Sequence, residues 1–277
     1  MALTVNTNLA SMNTVAKVNR TNKGLQKTLG RISSGLRINS AADDAAGLGV
    51  AENLDAASRS LRQAMRNTND GISVVQTAEG AANEVANIVK RMRELSVQSA
   101  SETLDNGERA YIQDEFTQLS EEVDRIANVT EFNGLALADG TNATINVQVG
   151  INNTADDQIA VTLGDLSAAT LGVDTGTIDL STSTGASAAL PALDTALDTL
   201  NAYRSDLGAV QNRLESSLRN LENTDQNLQA AESQIRDADF AQEASEMAKY
   251  NVMQQAGVAA LSQAKNINQS AAQLLQG

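Results

Sequence analysis

The sequence predicts a mainly α protein: a long antiparallel helical bundle or coiled coil built from N- and C-terminal segments, with a small central β-hairpin region. Three observations carry this. First, Leu193, Leu200, Leu207, Leu214, Leu221, Leu228 and Ile235 recur at an unbroken seven-residue spacing. Ala196, Tyr203, Val210, Ser217, Thr224 and Ala231 follow the first six by three positions. Such a repeat lays one stripe along a helix and demands a partner stripe. Second, Leu54, Leu61, Thr68, Val75, Ala82 and Val89 supply that stripe in the same chain, with Met65, Ile72, Val85 and Met92 filling its other half. Third, the chain of 277 residues holds no Cys, His or Trp and only three Phe and three Tyr. A ring-poor core suits thin helical bundles.

From the N-terminus, Leu9, Met12 and Ala16, then Leu25, Leu29, Ile32 and Leu36, keep helical apolar spacing. The Leu54–Val89 stripe follows. A third, shorter stripe runs through Ile112, Phe116, Leu119, Val123 and Ile126, separated from it by the turn-rich run Thr103-Leu-Asp-Asn-Gly107. Next, Ile145, Val147 and Val149 alternate with polar residues, as do Ile159, Val161 and Leu163, around Asn-Asn-Thr-Ala-Asp-Asp, a hairpin signature. Residues 174–188 are rich in Thr, Ser and Gly and read as an exposed loop. Pro191, the only proline, is placed to open the long C-terminal helix. From there to Ile235 a helix would be roughly 65 Å long, against about 17 Å for an average one. The stripes mix Ala, Thr and Ser with Leu, which favours packing within one chain, two long helices from the N-terminal half and one from the C-terminal half. An extended dimeric coiled coil is the competing arrangement.

Composition narrows the function. Without Cys there are no disulfides, thiolate nucleophiles or sulfur-ligated metals, and without His the commonest general base and metal ligand are missing. No phosphate loop, metal cluster or nucleophile–base pair is present, so neither a cofactor nor an enzyme activity is expected. A net charge of −14 argues against nucleic acid. No run reaches the ~20 apolar residues of a membrane span, and no secretory signal pattern opens the chain. Composition alone points to the cytosol. The pair Asp43-Asp44 reads as a helix cap and Asp156-Asp157 as a turn, since neither has the spacing of a catalytic dyad or a calcium loop.

The two ends stand apart. Residues 1–16 contain no charged side chain, and residues 250–277 contain one, Lys265, in a chain that is 19% charged. Val252, Val258, Leu261, Leu274 and Leu275 continue the apolar spacing. A solvated helix face normally carries Lys and Glu. Uncharged amphipathic ends instead point to burial between copies of the protein. Ends disordered in the monomer that fold on assembly satisfy the same pattern.

Several motifs then resemble one family. Ile38-Asn-Ser-Ala-Ala-Asp-Asp-Ala-Ala-Gly-Leu48 resembles the N-terminal signature of bacterial flagellin. Arg91-Met-Arg-Glu-Leu-Ser-Val-Gln-Ser99 resembles its conserved helix, and Phe132-Asn-Gly-Leu135 the turn that follows. Ile235-Arg-Asp-Ala-Asp-Phe-Ala-Gln-Glu243 and Gln254-Gln-Ala-Gly257 resemble its C-terminal signature. They lie in the family's order and span nearly the whole chain, with a middle too short for the large outer domains of many flagellins. The resemblance implies a minimal filament subunit that self-assembles through its terminal helices into a hollow helical polymer for swimming. It implies type III export rather than a cleaved signal, which overrules the cytosolic expectation in favour of a secreted, extracellular protein of the bacterial flagellum.

On that reading residues 1–43 and 236–277 form inner terminal helices. Residues 44–166 and 190–235 form the long-helix bundle, with a hairpin near 143–164, and residues 167–189 a short exposed variable loop. Polymerisation is expected to use Leu9, Met12, Leu25, Leu29, Ile32, Leu36, Val258, Leu261, Leu274 and Leu275. The implied partners are further copies of the chain, an export chaperone, the filament cap and hook-junction proteins. Arg91, Leu95, Gln98 and Glu115 match flagellin positions that contact Toll-like receptor 5, and spacing by three and four puts the first three on one helix face. Inter-subunit contact is the simpler role for them. Thr175, Thr177, Ser181, Thr182, Ser183 and Thr184 resemble loop sites that some flagellins glycosylate, although an unmodified polar loop is the simpler explanation. A hook–filament junction protein is the nearest competing identity, and a soluble helical binding module the competing class.

Overall fold

The computed structural model describes residues 7–274, with side chains described through residue 266. The elements run α1 (Leu9–Ser34), α2 (Ala45–Ala100), α3 (Asn106–Val129), β1 (Glu131–Phe132), β2 (Leu135–Ala136), β3 (Thr144–Gln148), β4 (Gln158–Thr162), α4 (Ala168–Leu171), α5 (Ser183–Arg236) and α6 (Phe240–Leu274). A single 3-10 turn, Ala155–Asp157, precedes β4. The chain divides into two compact units, residues 57–226 and residues 1–56 with 227–277. That division cuts through α2 and α5, whereas the boundaries expected from the sequence, 43/44 and 235/236, lie beside Ala45 and Arg236 at the outer ends of the same two helices.

In the unit 57–226 the heptad stripes meet. Ionic and polar pairs set α2 and α5 antiparallel: Ser58 Oγ donates to Asp225 at 2.5 Å, Arg93 bridges Asp194 at 2.6 Å, and Ser183 Oγ donates to the Ala100 carbonyl at 2.8 Å. α3 returns along α2, tied by Arg91 to Glu115. Asp105 starts it with a reciprocal capping box to Glu108, which satisfies orphan amides at the helix end. The α2–α3 turn closes around Arg109, a buried guanidinium that donates to the carbonyls of Ser99, Ser101 and Leu104. No motif marked that arginine in the sequence.

Phe116, Val123, Val85, Val89, Met92, Leu193 and Leu200 form one core among α2, α3 and α5. Further along, the β3–β4 hairpin takes over from α3. Val147, Val149, Ile159 and Val161 pack on Val74, Val75, Leu207 and Leu214. The hairpin lies so close to α2 that a Cβ on Gly71 would sit 2.9 Å from Val147 Cγ2. Glycine is what lets the sheet reach the helix there. Strand register is Thr144 with Thr162 through Gln148 with Gln158.

Three sequence expectations fail in this unit. Pro191 does not open α5; the helix begins at Ser183 and carries the proline inside it. Thr182 caps the start, its Oγ1 accepting from the Gly185 amide. The missing proline N–H leaves the Ser187 carbonyl without its helical donor, but both residues face solvent, where water replaces the bond. Residues 167–189 are likewise not a free loop. α4 forms within them, and Ile178 and Leu180 are buried in the bundle core. Polar composition hid two anchoring side chains. The ladder's register also fails near its end: Thr224 is exposed and its neighbour Asp225 is buried.

Candidate assembly surface

The other unit is thin. α1 packs along α6 in antiparallel register. Asn8 Nδ2 donates to the Ala264 carbonyl at 3.0 Å, Gln254 Nε2 donates to Asn22 Oδ1 at 2.9 Å, and Arg31 bridges Glu243 at 2.9 Å. Two glycines permit the close approach. A Cβ on Gly24 would lie 2.6 Å from the Tyr250 ring, and one on Gly257 2.7 Å from Val18. The amides of the uncharged ends therefore bond laterally, helix to helix.

α1 ends on Gly35 in the left-handed region, φ 71°, which glycine adopts without strain. The chain then crosses to the end of α5. The Arg37 amide donates to the Arg236 carbonyl at 2.7 Å and the Ala238 amide to the Gly35 carbonyl at 2.9 Å. The Arg37 guanidinium covers the Ile235 carbonyl at 2.6 Å, a cation at a helix C-terminus. Asp44 caps α2, its carboxylate accepting from the Gly47 amide at 2.9 Å. Asp43 instead holds the preceding turn and bridges Lys27 at 2.7 Å, which lowers its carboxyl to about 2. The carboxylate pair is thus two separate structural groups.

What the pair does not bury defines the surface. Leu9 is 63% exposed, Met12 62%, Leu29 55%, Val252 65% and Val258 55%. Val15, Met253 and Phe240 are also exposed. Of the expected polymerisation residues, Leu9, Met12, Leu29 and Val258 stand open, while Leu25, Ile32, Leu36 and Leu261 are half-buried. Leu274 closes α6, its side chain beyond those described, and Leu275 lies outside the described residues. Val15, Phe240 and Met253 were not among the expected residues, although Met12 to Val15 is itself a helical step of three. Scattered exposed apolar residues are ordinary, but eight of them here are gathered on two paired helices.

The other named residues fall in the unit 57–226. Arg91, Gln98 and Glu115 are exposed, and Arg91 is fixed between Glu115 at 2.8 Å and Glu94 at 3.1 Å. Both carboxylates raise the arginine's pKa, Glu115 more than Glu94. Leu95 does not join them. It is 1% exposed and belongs to the bundle core, so the three-and-four spacing that grouped it with Arg91 crosses from surface to interior. Thr175, Thr177 and Thr184 are exposed. The Thr182 hydroxyl is taken up by the α5 cap and the Ser183 hydroxyl by Ala100, and Ser181 is half-buried. Among the described residues no group of acidic side chains could hold a metal ion, and no helix is long and apolar enough to cross a membrane.

Comparison with known proteins agrees with this architecture. Residues 5–143 match the bacterial flagellin N-terminal helical region, and residues 190–275 the bacterial flagellin C-terminal helical region. A flagellin of Halalkalibacterium halodurans is 46% identical over 272 residues, covering 98% of this chain and 99% of that one. Polar flagellin A of Vibrio parahaemolyticus is 46% identical over 166 residues, 60% of this chain and 44% of the longer relative. A solved structure of a putative flagellar hook-associated protein from Vibrio parahaemolyticus shares the fold, with a TM-score of 0.59 at 15% identity over 70% of this chain and 100% of that one. With both helical regions matched and the Halalkalibacterium relative aligned nearly end to end, the chain belongs to the bacterial flagellins, a structural family of flagellar filament subunits and not enzymes.

Proposed function

We propose that this chain polymerises by covering the open apolar side of its α1–α6 pair with the same pair from neighbouring copies, building a hollow helical tube for swimming motility. The observation that carries the reading is the exposure of Leu9, Met12, Val252 and Val258 on two helices that already face each other. Among the described residues these four side chains stay uncovered. Burial of four such side chains stabilises contacts by about 1.5–3 kcal/mol each before association costs. The subunit works outside the cell after export through the flagellar channel, with an export chaperone, the filament cap and hook-junction proteins as transient partners. Arg91, Gln98 and Glu115 serve inter-subunit contact first. Recognition by Toll-like receptor 5 would read the same polar group without Leu95. Thr175, Thr177 and Thr184 are the hydroxyls best placed for glycosylation.

The test is a charge placed on each surface. Val258→Asp or Met12→Asp is expected to abolish tube formation in electron micrographs after heat dissociation and salting, while leaving helical circular dichroism intact. Ser183→Asp is expected to polymerise normally. Equal effects from all three would sink the proposal.

A further inference from the structure

α1 carries a charge imbalance. Residues 1–42 contain Lys17, Arg20, Lys23, Lys27, Arg31 and Arg37 and no acidic side chain, in a chain of net charge −14. Glu243 matches Arg31 and Asp43 matches Lys27. Lys17, Arg20 and Lys23 are exposed and make no ion pair among the described residues. α6 does not neutralise them. Between Met247 and Asn266 it carries Lys249 and Lys265 and no acid.

The placement of these cations matters as much as their number. Leu9, Met12, Ala16, Arg20, Lys23 and Lys27 follow one another in steps of three and four, so they share one face of α1. All are exposed, and the buried Thr21 and Thr28 mark the opposite side, with Val18 and Asn22 reaching α6. The outward face is therefore apolar along its first two turns and cationic along the next two. A helix of this kind rests at a membrane surface with its apolar side chains at the acyl boundary and its Lys and Arg stems extended to the phosphates.

We propose that the outward face of α1 docks the unassembled subunit on an anionic phospholipid surface. Leu9, Met12 and Ala16 enter the boundary between headgroups and chains, and Arg20 and Lys23 hold the headgroup phosphates. A nucleic acid would engage the cations and leave the apolar half unused. A second α1 would bring like charges together. Anionic lipid satisfies both halves of the face, and it does so without spanning the bilayer.

The experiment is vesicle flotation of the full chain in its monomeric state. One set of vesicles is phosphatidylglycerol mixed with phosphatidylcholine, the other phosphatidylcholine alone. The parent protein is expected to float with the anionic vesicles, to be released by high salt, and to ignore the neutral ones. Each basic side chain near such a surface contributes about 1 kcal/mol, so Arg20→Ala with Lys23→Ala is expected to weaken binding about 30-fold. Met12→Asp is expected to weaken it as well. Arg66→Ala with Lys90→Ala, the same change of charge in residues 57–226, is expected to bind like the parent. Circular dichroism confirms that each variant keeps its helices. Equal flotation on both vesicle types overturns the proposal, as does parental binding by either α1 variant. A single-stranded oligonucleotide bound through Arg20 and Lys23 while vesicles stay unbound overturns it too.

Discussion

The unit of residues 57–226 and the unit built from both ends use the same helical spacing to opposite ends. In the first, Leu193, Leu200, Leu207 and Leu214 are each at most 1% exposed, because α3, then the hairpin, closes the groove between α2 and α5. In the second, among the described residues, α1 packs chiefly against α6. Two helices bury one seam and leave the rest of an apolar surface open, so the buried positions of α1 are two threonines, while Leu9 and Leu29 are exposed and Leu25 is half-buried. The lesson is that amphipathic spacing states which residues need covering. It does not state whether the cover comes from the same chain.

Three substitutions sharpen this contrast, from largest effect to smallest. Phe116→Ala empties the centre of the first unit, where the ring is fully buried. A loss of about 3–5 kcal/mol is expected from denaturant unfolding. A loss below 1 kcal/mol would mean that this core is not what holds the bundle. Asp225→Ala removes the acceptor for the buried Ser58 hydroxyl and the partner of Arg62, both at the far end of the same bundle. The expected cost is about 1–3 kcal/mol. Stabilisation by Asp225→Leu but not by Asp225→Ala would show that the polar cluster sets register at the expense of stability.

Asp43→Asn is the smallest and tests the terminal unit. The Lys27 hydrogen bond lowers the Asp43 carboxyl from its ordinary 3.8 to about 2 in the folded chain. A carboxyl depressed on folding adds stability that is fully present above 3.8 and is lost as pH falls through about 2. Comparing acid unfolding of the two proteins is expected to show a shallower pH dependence for Asp43→Asn in that window. Because the ion pair is exposed, the difference is small. Identical acid profiles would remove Lys27–Asp43 from the account.

Most of the fold was legible in the sequence because burial there follows strict periodicity. Leu193 through Leu221 name their own stripe, and the alternation of Val147 and Val149 with Ile159 and Val161 names the hairpin. What stayed hidden depends on contacts distant in sequence. Ile178 and Leu180 are two apolar residues in a polar run, and only the bundle gives them a place. Thr224 and Asp225 exchange expected burial because Ser58 and Arg62 wait on the facing helix. Leu95 carries the right spacing for a surface group and lies on the core side of it. For the terminal surface, the missing charges at both ends were visible. The Gly24–Tyr250 and Gly257–Val18 approaches that pair the helices were not, since a helical glycine does not reveal what packs on it.

Whether the terminal pair depends on neighbouring copies for its cover can be read from amide hydrogen exchange on monomer and on assembled tubes. Rapid exchange is expected in α1 and α6 of the monomer, and strong protection of both in the tube. α2, α3 and α5 within residues 57–226 are expected to be protected in both states. Equal protection of α1 and α6 in the two states would contradict that dependence, because the pair would then be stable without any other copy.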